Sequence, residues 1–231
     1  AYYSKLILRK NGMKRLVGLL LFILFIINCS GETGARDQIR AENDVLKVPL
    51  YLQAYRLYYE KKYPEGYALL TSYAFAQNGK SLVLHDLLVK FAHKLNKIDE
   101  VMASYSKLPQ QRLYLFAKGA LSIVIERDKQ NSLTLFKRLN YFFPENPIVQ
   151  MYLGYLYILH NKPHIAEKIL SQSVSNLDNF PFNRYYHALA LYYIGNKEDA
   201  VSSLNKAISY FPAFMQPEIE AAEKLKKKLQ S

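Results

Sequence analysis

Tryptophan is absent from this chain and cysteine occurs once, at Cys29. A single thiol closes no internal disulfide and forms no CxxC pair, which leaves out a crosslinked scaffold, a dithiol redox centre and a thiolate zinc site. Glycine is scarce, nine in 231 residues, and is nowhere arranged as a phosphate-cradling loop or as a GxSxG turn that would present a serine nucleophile. Acidic residues are missing from the whole stretch before the apolar run Leu16–Ile27, where Lys5, Arg9, Lys10, Lys14 and Arg15 all stand. Long apolar runs are missing too. The twelve uncharged residues of Leu16–Ile27 make a helix about 18 Å long, well short of the roughly 30 Å hydrocarbon core, so a stable spanning helix is disfavoured. What is abundant is the aromatic ring: 20 Tyr and 12 Phe, in a chain that is 50% hydrophobic and 22% charged. That balance suits a folded protein with one substantial core or a row of small ones.

The formal charge is +12. With the five leading cations removed, 26 basic residues face 19 acidic ones and leave +7. Met13, two cations and the apolar run form the layout of a secretory signal. The run leads into Ile26-Ile27-Asn28-Cys29, which resembles the lipobox of bacterial lipoproteins, in a looser form like those of spirochaetes, since Asn28 stands where a small residue is usual. The resemblance implies cleavage before Cys29 and a lipid on its sulfur. Two or three acyl chains hold a protein to a bilayer stably, whereas one does so marginally. Residues 1–28 are accordingly expected to be upstream sequence and signal, and 29–46 a polar, lipid-anchored tether, with Ile39, Val45 and Leu46 able to add a short helix near its end.

Beyond residue 46 the chain repeats itself every 34 residues. Pro147 pairs with Pro181, Gly154 with Ala188, Ala166 with Ala200 and Leu170 with Leu204, and one period earlier stand Ala120, Ser132 and Phe136. A fixed period of this size is the mark of a stacked repeat architecture. The pattern resembles the tetratricopeptide repeat (TPR), two antiparallel helices per unit, with small residues where the helices cross. The resemblance implies an all-α superhelix of about five helix-turn-helix units over 47–215, closed by a C-terminal capping helix over 216–231. Ala54, Leu57, Gly66 and Leu70 fill the core places of the first unit, and Val89, Ala92, Val101 and Tyr105 those of the second. In the last segment Glu218, Glu220 and Glu223 precede Lys224, Lys226, Lys227 and Lys228, the order that suits a helix dipole. Ile219, Ala222 and Leu229 are placed to face the last repeat.

No catalytic constellation emerges. His160 and His164 are four apart, but Pro163 and a turn lie between them, so one helix does not present both as a zinc pair. His85, His93 and His187 are isolated, and Asp86, Asp99 and Glu126 form no acid–base pair. No catalytic residue, metal or cofactor is expected, and enzymatic activity is not.

In the TPR family the first helix of each unit lines the inner, concave face, where ligands lie. By this resemblance the groove would be lined by Tyr51, Tyr55, Tyr58 and Tyr59 in the first unit, Lys118 in the third, Tyr152, Tyr155 and Ile158 in the fourth, and Tyr185, Tyr186, Tyr192 and Tyr193 in the fifth. Tyrosine offers an apolar ring and a hydroxyl with only two torsions to freeze, though some of these rings are expected to pack between units. The leading expectation is an extracytoplasmic, membrane-anchored scaffold of the bacterial cell envelope that binds a protein or peptide on this face. A basic nucleic-acid-binding repeat, prompted by a pI near 9.5, is the alternative. Export argues against it, and no nucleic acid is expected. A cell-wall enzyme or its accessory subunit ranks third.

Overall fold

A computed structural model describes residues 36–46, 49–76, 81–108, 111–123 and 128–230. The chain divides at residue 37, and residues 38–231 form one compact unit. Cys29 and the signal lie outside the described residues.

Residues 36–46 form helix α1. Five antiparallel pairs come after it: α2 (Pro49–Tyr59) with α3 (Tyr63–Ala76), α4 (Leu82–Lys94) with α5 (Ile98–Ser106), α6 (Gln111–Leu121) with α7 (Lys129–Phe142), α8 (Pro147–Leu159) with α9 (Pro163–Asn176), and α10 (Pro181–Tyr193) with α11 (Lys197–Tyr210). Helix α12 (Gln216–Gln230) closes the series. The two helices of each pair pack together, and first helices also meet across units: α2 with α4, α4 with α6, α8 with α10. Among the described residues there is no strand. The expected all-α repeat superhelix, with five helical pairs and a capping helix, is thus present.

The period has a steric cause. A side chain added at Gly154 would meet both methyl groups of Leu170 at 2.8 Å, and one at Gly119 would meet the Phe136 ring at 2.9 Å. Both helix pairs approach at these points more closely than a Cβ allows. Ala54, Ala120, Ala166, Ala188, Ala200 and Ala207 are each fully buried, as are Phe136, Leu170 and Leu204 beside them. Where a polar residue takes a small place, it is hydrogen-bonded: the Ser173 hydroxyl donates to the Pro147 carbonyl at 2.7 Å, and the Ser203 hydroxyl to the Arg184 carbonyl at 3.0 Å.

The turns within four units share a left-handed residue: Lys61 (φ 60°), Asn96 (57°), Asn161 (58°) and Gly195 (83°). That conformation stops the first helix and reverses the chain within about three residues. Several helices then start on local signals. Asp128 accepts from the Asn131 amide, Asn196 from the Asp199 amide, and Asn146 from the amides of Ile148 and Val149. Pro147, Pro163 and Pro181 stand at the first helical position, where no N–H is required. In α12, Ala222 and Leu229 are buried as the sequence pattern predicts.

Candidate inner-face site

Helix α1 is more than the end of a tether. Its Glu42 is fully buried and accepts from the Leu82 amide at 2.6 Å, the Ser81 hydroxyl at 2.7 Å, the Asn146 side-chain amide at 3.2 Å and the Val83 amide at 3.3 Å. The side chain therefore caps α4 from outside that helix and holds it to the cap of α8. Burial pushes the Glu42 carboxyl up, with these hydrogen bonds opposing the shift. Asn43 adds a hydrogen bond to the Asn176 carbonyl at the end of α9, at 3.1 Å.

Next along the inner face, Asp86 of α4 is 5% exposed. It pairs with Lys90 one turn on, at 2.7 Å, and accepts a hydrogen bond from the Tyr152 hydroxyl of α8. His85 Nδ1 lies 2.6 Å from the Tyr105 hydroxyl. Burial, and after it the Asp86 charge, drives the phenols of Tyr105 and Tyr152 well above the ordinary range, so both remain protonated, and Tyr152 donates to Asp86.

The superhelix also closes on itself. Arg56 of α2 stacks over the Phe214 ring at 5.6 Å, the Tyr59 and Phe214 rings are 6.0 Å apart, and Tyr55 meets Phe182 at 6.3 Å. Burial, and after it the Glu218 carboxylate in the first turn of α12, raises the Tyr59 phenol pKa. The first repeat thus seals against the last, and much of the concave wall becomes core.

This closure corrects the expected groove. Tyr51 (5% exposed), Tyr55 (3%) and Tyr152 (6%) are interior residues. Tyr51 and Tyr55 pack on each other at 4.9 Å, and Tyr152 packs on Phe136 at 5.0 Å. Ile158 is buried between repeats with Ala166, Leu170 and Ala190. Tyr58 packs edge-on against Phe91 at 5.4 Å, with Tyr59 in the seam just described. Tyr192 is half-buried beneath Lys228, whose ammonium lies 5.0 Å from its ring centre. Lys118 is exposed on α6.

What stays partly accessible is a strip on α8 and α10, in which Tyr155, Tyr185 and Tyr186 are half-buried and Tyr193 is exposed. Tyr155 and Tyr186 are 4.8 Å apart, Tyr185 and Tyr186 5.6 Å, and Tyr193 is 57% exposed. The strip is flanked by two cavities. One, about 230 Å³, lies between α7 and α8 beside Ile123, just past α6, and is lined by Lys129, Ser132 and Tyr155 among others. The other, about 220 Å³, lies between α10 and the start of α12, with Phe182, Tyr185, Tyr186, Phe211 and Glu218 in its wall. Among the described residues no group of three or more His, Cys, Asp or Glu side chains converges as a metal site.

Sequence reasoning missed the roles of Glu42, Asp86 and Glu218. For Asp86 a signal exists: "LVLHDLLV" places one acid inside an apolar helix, and buried acids are rare unless they are paired. Glu42 and Glu218 sit in polar stretches with nothing to set them apart.

No protein-family model matches the chain, and no curated protein matches it significantly. Solved structures do match. A thermophilic TPR protein of Thermus thermophilus aligns with a TM-score of 0.50 and 20% identity, over 76% of this chain and 97% of that one. A tetratricopeptide repeat protein of Parabacteroides merdae aligns at 0.46 and 17%, over 78% and 70%. The stacked helical pairs, their small-residue crossings and the Thermus likeness together establish that this chain has the tetratricopeptide-repeat fold.

Proposed function

We propose that this protein is a binding scaffold, anchored by a lipid on Cys29 to the extracytoplasmic side of a bacterial membrane, that holds a protein or peptide segment along the α8–α10 tyrosine strip. The observation that carries the binding reading is the contiguity of Tyr155, Tyr185 and Tyr186 beside exposed Tyr193, on the face where rings elsewhere have gone into the core. Rigid aromatic side chains of this kind supply contact area at low entropic cost.

A photo-crosslinking residue placed at 155 or 193 in the native cell is expected to trap the same partner. One placed at Tyr141, 83% exposed on α7, should not. Equal labelling from all three positions, or none, rejects the strip as the binding face. The anchor is tested separately, by incorporation of radioactive palmitate that Cys29→Ala abolishes. Retained label in that variant rejects Cys29 as the attachment point.

A further inference from the structure

The last turn of α7 leaves an aromatic pair outside the core. Tyr141 is 83% exposed and Phe142 43%, and their rings meet edge-on at 5.6 Å. Among the described residues Tyr141 is the most exposed large apolar side chain. One turn earlier on α7 stand Lys137 and Arg138, both exposed, and helical spacing puts them on the same face as the pair. The Lys137 ammonium lies 5.8 Å from the Tyr157 ring centre, and exposed Arg112 of α6 lies over the neighbouring Phe143 ring at 5.1 Å. Helix α7 itself contains no acid, and Glu145 just past it is outnumbered by these three cations.

The leading helix docks at the same end of α7. The Asn146 side-chain amide, four residues past Phe142, donates to Glu42 at 3.2 Å. Asn176 donates to the Glu145 carbonyl at 3.0 Å and accepts from Asn43 at 3.1 Å. Glu42 and Asn43 are thus tied to the segment that follows the aromatic pair. From Cys29 to Gln38 the chain reaches at most about 32 Å when fully extended, and α1 adds about 6 Å from there to Glu42. A lipid on Cys29 therefore keeps this end of α7 within reach of the bilayer.

We infer that Tyr141 and Phe142, with Lys137, Arg138 and Arg112, form a face that rests on an anionic bilayer surface. The inference rests on the lipid-anchor reading above and adds the orientation that the protein takes on the membrane. Aromatic rings settle at the level of the headgroups, and basic side chains beside them meet lipid phosphates while their stems lie along apolar surface. A protein partner would also cover the rings, but the interleaved cations and the approach of the tether select lipid.

The chain has no tryptophan, so Tyr141→Trp supplies a single emission probe at an exposed site. The full chain, purified from cell membranes, is reconstituted in vesicles of phosphatidylcholine and phosphatidylglycerol, with or without bromine on the acyl chains. Emission from Tyr141→Trp is expected to be blue-shifted and quenched by the brominated lipid, and that from Tyr193→Trp, on the α8–α10 strip, is not. Lys137→Glu combined with Arg138→Glu should cut the quenching at 141 about threefold or more, as should omission of phosphatidylglycerol. Four results overturn the proposal: no quenching at 141, equal quenching at 141 and 193, undiminished quenching after charge reversal, or a blue shift that brominated lipid leaves unquenched, which marks a protein contact. Absence of quenching at 141 while palmitate is still incorporated removes the face and leaves the anchor. Quenching at 141 in a chain that takes up no palmitate removes the anchor and leaves the face.

Discussion

The Glu42 carboxylate accepts the Leu82 amide hydrogen at 2.6 Å, so a residue of the leading helix caps a helix forty positions further along. The same carboxylate holds Ser81 and Asn146. Replacing it with alanine strands several buried donors at once. Glu42→Ala is expected to lose about 3 kcal/mol of stability, by urea unfolding. Because burial raises the folded-state pKa of Glu42 above 4.5, the folded protein holds that proton more tightly than the unfolded chain. This group's contribution is therefore fully present at acid pH and declines as pH rises from 4.5 through the folded pKa. Glu42→Gln should remove that decline.

Gly154 faces Leu170 with no room for a methyl group. Gly154→Ala should destabilise the fold by about 1–3 kcal/mol through overpacking, and Leu170→Ala by about 2–5 kcal/mol through a cavity. The double variant should lose clearly less than the sum, because each change relieves the other. Strict additivity in thermal or urea unfolding would show that the two residues do not share a crossing point.

Lys61 holds a left-handed conformation at φ 60° with its side chain in solvent. At the equivalent turn of the fifth unit the chain uses Gly195. Lys61→Gly should raise stability by about 1 kcal/mol by removing the Cβ clash, seen as a higher urea midpoint at unchanged slope. Gly195→Ala should move the midpoint the opposite way.

His187 of α10 is held below its ordinary pKa of 6.5, chiefly by burial and also by Arg184, while Glu167 opposes the shift. The unfolded chain therefore binds the proton more readily, and stability is lost as pH falls from above 6.5 through the folded pKa. Between about pH 7.5 and 5.5 the thermal midpoint of His187→Gln should fall less than that of the parent. The opposite sense at Glu42 makes the comparison with the parent essential.

The 34-residue period was legible because crossing helices demand small volumes at fixed spacing. Gly154, Ala166, Ala188 and Ala200 declare the fold without reference to anything distant. Closure was illegible for the converse reason. Arg56 meets Phe214 only because each unit adds a rotation, and no local pattern records their sum. The tyrosines were ambiguous in the same way: Tyr152 and Tyr155 look alike in the chain, yet one ring lies among Phe116, Phe136 and Asp86 and the other beside Tyr186. Glu42 lies in a stretch whose polarity resembles that of a linker, and only its position over the start of α4 makes it structural.

An open row of repeats can melt from either end, since each terminal unit has a single neighbour. Here the Arg56–Phe214 and Tyr59–Glu218 contacts give each outermost unit a second neighbour. Fraying of one end would therefore expose surface on the other, and the two ends should protect their amide hydrogens from exchange to a common degree.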